Sequence, residues 1–130
     1  MSPVLFVVVA LAGGVGAVAR FALDSAIRSA TARRRLGAAL PWGTLAINLS
    51  GSLLLGVLVG AVGAGVLGGE WQWALGSGFL GGYTTFSTAS FETVRMLQQR
   101  RWTAGLVNGL LQLVLATALA GAGLWLGSLL

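Results

Sequence analysis

The chain has 130 residues, 56% hydrophobic and only 8% charged, with 21 Gly, five Trp and neither Cys nor His. A soluble domain carries roughly 25% charged residues, so this composition excludes an ordinary water-facing surface. Without Cys and His there are no imidazole bases, thiolate nucleophiles, disulfides or zinc clusters. With only Asp24, Glu70 and Glu92 as acids, paired-carboxylate catalysis has little material, and an enzyme is not expected.

The net charge of +5 comes from eight Arg. Basic residues flanking membrane spans set topology, so nucleic acid is not an expected partner. The uncharged runs are 18 residues from Ser2 to Ala19, 34 from Leu36 to Gly69, 21 from Trp71 to Phe91 and 29 from Trp102 to Leu130. A spanning helix needs about 20 apolar residues, which predicts an all-α membrane protein of four transmembrane helices. They fall at about 4–28, 42–67, 71–99 and 102–129, forming one domain over 1–130. Val4–Leu11 with Ala17-Val18-Ala19 imitates a signal-peptide core. It lacks a basic n-region, and Arg20-Phe21 continues the helix, so a retained first span is expected.

On helix 1, Arg20 lies in or near the hydrocarbon. An intramembrane Arg faces a cavity, pairs with an acid or snorkels to the interface. Asp24 is the nearest acid, and Arg28 follows one turn later. Pro41 suits the start of helix 2, and Gly68-Gly69 a stop. Asn48 sits seven residues into helix 2, with Ser52 one turn on. Trp42, Trp71, Trp73, Trp102 and Trp125 all fall near helix ends, at headgroup level. Small residues recur at four-residue spacing in Ala12/Gly16, Gly56/Gly60, Gly65/Gly69, Gly78/Gly82, Gly105/Gly109 and Gly123/Gly127. Such pairs let membrane helices approach closely.

Helix 3 carries glycines and hydroxyls at mid-span, in Gly76-Ser77-Gly78 and Gly81-Gly82-Tyr83-Thr84-Thr85-Phe86-Ser87-Thr88. One reading is a helix broken near Gly81–Thr85, exposing carbonyls and amides to a cavity or ion. The other is an unbroken helix whose hydroxyls bond back to their own carbonyls. On helix 4, Asn108 and Gln112 share a face. Amides and hydroxyls on three helices, one Arg and almost no acid favour an anion over a cation. Glu92 is the exception, and Arg95 at i+3 can neutralise it. The ring edge of Phe86 adds partial positive charge without trapping an anion.

The helix 3 motif closely resembles the signature of the small fluoride channels, the Fluc or CrcB family. The likeness extends through Gly13-Gly14-Val15-Gly16-Ala17-Val18-Ala19-Arg20 and Gly43-Thr44-Leu45-Ala46-Ile47-Asn48-Leu49-Ser50-Gly51, and covers essentially the whole chain. The resemblance implies an antiparallel dimer with two pores, exporting fluoride passively across a prokaryotic cell (inner) membrane and conferring fluoride resistance. It implies Asn48, Phe86, Ser87, Asn108, Gln112 and Arg20 along the fluoride path. It further implies backbone carbonyls of Gly81 and Thr84 around a central sodium ion that is not transported. Ala89 stands where the family has a second pore phenylalanine, and Ala116 at a third polar-track position.

Connections 1–2 and 3–4 lie on one side of the membrane, with Arg28, Arg33, Arg34 and Arg35 on the first and Arg95, Arg100 and Arg101 on the second. The other side has only Glu70. Positive residues in short loops stay cytoplasmic, so both termini are expected outside and one orientation is fixed. Combined with an antiparallel family, this favours a heterodimer with an oppositely oriented companion over a homodimer. The competing functions are a small multidrug-type proton-coupled antiporter, which needs a membrane-embedded acid, and a non-conducting structural subunit of a heterodimeric channel.

Overall fold

A computed structural model describes residues 1–34 and 40–130; Arg35 of the first basic connection lies outside the described residues. All its regular structure is helical. α1 spans Pro3–Arg33, with the Ser2 hydroxyl accepting from Leu5 N at 3.2 Å and Pro at the first turn. It runs past the expected end at Arg28, because residues 29–33 contain neither Gly nor Pro. At about 46 Å it exceeds a hydrocarbon core of about 30 Å, so its last turns stand at headgroup depth.

α2 spans Trp42–Gly63 and stops short of the expected Leu67. The terminator is Gly65 rather than Gly68-Gly69. Its φ of 77° closes a turn in which Val66 N donates to Ala61 O and Gly65 N to Val62 O, each at 3.0 Å. Those paired bonds satisfy the last carbonyls of the helix and require a left-handed residue, which glycine supplies at no steric cost.

The next stretch is composite. α3 (Gly69–Trp71) leads into a π-helical segment, Gln72–Leu80, and then α4 (Gly81–Tyr83). Thr84 and Thr85 are extended, at φ/ψ of −80°/161° and −150°/107°. α5 (Phe86–Gln98) follows, and a turn centred on Arg100, at φ 59°, leads to α6 (Trp102–Gly127). α1, α2 and α6 are each long and apolar enough to cross a membrane.

Packing fixes the directions. Gly56 and Gly60 face Ala120, Leu124 and Ser128, while Gly123 and Gly127 face Leu53 and Val57 backbone, so α2 and α6 run parallel in close contact. Gly16 lies against the Phe79 carbonyl and Gly82 against Gly13, so α1 runs parallel to the composite stretch. Between these pairs sits a small core of Ile47, Leu80 and Tyr83, with Phe79 stacked on Tyr83 at 5.9 Å. Gly65 and Gly69, expected as a packing pair, have open space where a Cβ would stand, so neither marks a tight helix seam. This alternation puts both termini at one end, and Arg28, Arg95 and Arg100 at the other. Large apolar side chains such as Phe6, Leu11, Val18, Phe21 and Leu113 remain on the outside, as a lipid-facing surface requires.

Candidate functional site

The site is built around the two extended residues. A helix that lets go at Thr84 and resumes at Phe86 leaves backbone groups without helical partners, and lipid offers none. Asn48 of α2 supplies them from one side chain. Thr85 N donates to Asn48 Oδ1 at 2.8 Å, and Asn48 Nδ2 donates to Thr85 O at 2.9 Å. The primary amide thereby copies the exchange a neighbouring β-strand would make. Thr84 N and its hydroxyl both donate to Leu80 O at 2.9 Å, finishing the helical turn behind. Thr85 Oγ1 accepts from Thr88 N at 3.2 Å and caps α5 ahead.

Carbonyls around the step lose their usual donors as a result, those of Gly81 and Thr84 among them. The amide four residues beyond Gly81 is Thr85 N, which goes to Asn48. The amide four residues beyond Thr84 is Thr88 N, which goes to the Thr85 hydroxyl. Arg20 Nη1 of α1 donates to Thr84 O at 3.4 Å. A carbonyl oxygen has two lone pairs, and hard cations take oxygen ligands. Gly81 and Thr84 are therefore chemically suited to a bare alkali cation.

Beside this point opens a cleft of about 540 Å³, lined by Asn48, Thr84, Thr85, Phe86, Ser90 and Gln112 among others. Asn48 Nδ2 also donates to Gln112 Oε1 at 3.2 Å. Gln112 Nε2 is buried and has no protein partner. Gln112 Nε2 is thus an unspent donor, sealed next to the cleft beside an amide already held in place. Phe86 is 88% exposed, its ring free at the cleft wall. Ala89 and Ala116 also line the cleft, and their small side chains leave it wide.

Other candidates lie elsewhere. Asn108 is fully buried, donating through Nδ2 to Thr93 Oγ1 at 2.9 Å, and is absent from the cleft wall. Ser87 is exposed, its hydroxyl 3.4 Å from Thr85 Oγ1, and it does not line the cleft. Arg20 does not take Asp24 as its partner. Asp24 is engaged by Arg28 Nε at 2.7 Å; both arginines lie four residues away, and an acid placed N-terminal to its base is the more favourable order on a helix. Glu92 is not paired with Arg95. It accepts from Arg28 Nη2 at 3.2 Å and Thr44 Oγ1 at 3.1 Å, since α1 and α2 both pass its side of α5. Thr85 and Thr93 are the polar residues sequence reasoning left without a role. The spacing Thr85-x-x-Thr88 at a helix start carried a signal for the first, while nothing local pointed to the second.

Such an arrangement, helices apolar and long enough to cross a bilayer beside a largely apolar cleft that carries the Asn48 and Gln112 amides, defines a multi-pass membrane protein. Residues 7–124 match the family described as CrcB-like protein, Camphor Resistance (CrcB). The chain is also 51% identical to the "Fluoride-specific ion channel FluC 1" of Leifsonia xyli subsp. xyli (strain CTCB07), over 129 residues covering 99% of this chain and 90% of that protein. The chain belongs to the CrcB-like family.

Proposed function

We propose that this chain is the subunit of a fluoride-selective channel that lets fluoride leave a prokaryotic cell passively across its cell (inner) membrane, conferring fluoride resistance. The observation that carries the reading is the Asn48–Thr85 exchange beside the free Gln112 Nε2. Fluoride is small and strongly hydrated, so fixed donors must replace its water before it enters. Gln112 Nε2 is such a donor, held in place because Gln112 Oε1 is tied to Asn48. The Phe86 ring offers a weakly positive edge, attractive enough for entry and too weak to trap. The donor count and the relative's name support fluoride; the cleft lining named above has no carboxylate of the kind proton-coupled antiport needs.

Sodium belongs to this reading as a structural ion held by the Gly81 and Thr84 carbonyls. When bound, it would supply positive charge and fix the two ends of the extended step. Functional assembly is an antiparallel dimer, and the companion is a second, oppositely oriented subunit. The wide cleft at Ala89 and Ala116 supports this, because an aromatic side chain from the companion would narrow it. Both termini are outside in this scheme, opposite the arginine end.

Phe86→Ile keeps bulk and removes the ring edge. In proteoliposomes it is expected to cut fluoride efflux at least tenfold, which corresponds to about 1.4 kcal/mol, with the protein still folded. Wild-type flux in this variant would remove Phe86 from the path. Orientation is tested by single cysteines at Ser2 and Ser128 in intact cells. Labelling by a membrane-impermeant maleimide from outside alone is expected. Equal labelling from both sides would show dual insertion and restore the homodimer.

A further inference from the structure

Arg20 is the one basic side chain at the extended step. It is half-buried, and among the described residues its hydrogen bond is to Thr84 O at 3.4 Å, with no carboxylate pairing it. Asp24, the acid one turn away, is committed to Arg28 at 2.7 Å. The guanidinium charge therefore rests on a backbone carbonyl that has lost its helical donor. Charge-assisted hydrogen bonds are ordinarily about 2.7–2.9 Å long. At 3.4 Å this one holds loosely and can yield.

That carbonyl is also one of the two assigned above to sodium, and the present argument rests on that reading. Two cations on one oxygen repel, and in a poorly screened interior the repulsion is far larger than in water. We infer that Arg20 competes with sodium for the Thr84 carbonyl. In the cation-free subunit the guanidinium steadies the extended step. As sodium binds, the guanidinium is released towards the neighbouring polar space. The charge at position 20 thus sets the sodium concentration at which the site fills. Arg20 is a positioning residue here, acting through Thr84.

The test uses the purified full-length chain assembled with its oppositely oriented companion, with thermal unfolding followed across a sodium series. Ionic strength is held constant with N-methyl-D-glucamine chloride. Ligand that binds only the folded state raises the midpoint, so the half-effective sodium concentration reads the site without any flux assay. Arg20→Gln keeps a donor and removes the charge, and should lower that concentration on the order of tenfold. Arg20→Lys keeps the charge and should stay within about twofold of wild type. An Arg20→Gln value equal to or above wild type overturns the competition while leaving the sodium site standing. A wild type indifferent to sodium overturns the sodium reading and this inference together. Should Arg20→Gln fail to fold, solid-state NMR of the wild type decides: the Arg20 Nη resonances should shift on saturating with sodium, and their indifference would overturn the proposal.

Discussion

Asn48→Ala is expected to abolish fluoride efflux and to lower stability by about 2–5 kcal/mol. The size follows from what the side chain does. It satisfies both the N–H and the C=O of Thr85, at 2.8 and 2.9 Å, where no helical turn can. A buried backbone group left unpaired costs about 1–3 kcal/mol, and truncation orphans two. It also frees Gln112 Oε1, so the buried Gln112 Nε2 is no longer held in place. Gln112→Ala separates the two effects. It removes one side-chain bond, from Asn48 Nδ2, and leaves both bonds to Thr85, so it should cost only about 0.5–1.5 kcal/mol while flux still falls. Thermal unfolding and proteoliposome efflux measured on both variants check this. An Asn48→Ala protein with wild-type midpoint would show that the extended step does not depend on the amide.

Gly123→Val should cost at least as much, for a different reason. A Cβ at Gly123 would fall on the Leu53 carbonyl and within 2.9 Å of Val57 N, both backbone atoms that cannot rotate away. Overpacking typically costs about 1–3 kcal/mol and more when backbone must move. Here the parallel α2–α6 pair would have to separate, so little folded protein should be recovered in the membrane. Gly121 on the same helix has nothing within 4 Å of its would-be Cβ. Gly121→Val should stay within about 0.5 kcal/mol of wild type. Size-exclusion profiles and unfolding midpoints compare them, and equal behaviour of the two variants would rule out the seam.

Long-range order in this protein was legible where it is written in single residues. The uncharged runs announced apolar crossings, and the small-residue spacing of Gly56/Gly60 and Gly123/Gly127 marked the α2–α6 seam. Local stops were less visible, because several glycines compete as terminators and only the one reaching φ 77° can close the bonds to Ala61 and Val62. The π-helical winding of Gln72–Leu80 left no sequence signal. α and π turns draw on the same residues, so composition does not separate them. Polar residues were identifiable as unusual, but not whom they meet. Asn48 and Gln112 share the cleft, whereas Asn108, one turn from Gln112, turns to Thr93 and is sealed. A shared helix face spans a wide arc, and packing against α5 divides it. Glu92 likewise had a nearer arginine in sequence, Arg95, than the Arg28 it meets in space, and Arg28 also takes Asp24.

The central claim, passage of fluoride by way of the Asn48–Gln112 cleft, is tested most directly by efflux from proteoliposomes holding the purified chain, alone and with a companion subunit of opposite charge bias. A fluoride electrode should record rapid release with the companion present, no comparable chloride release, and loss of the signal on Gln112→Ala. Chloride and fluoride leaving at equal rates, or fluoride release untouched by Gln112→Ala, would contradict it.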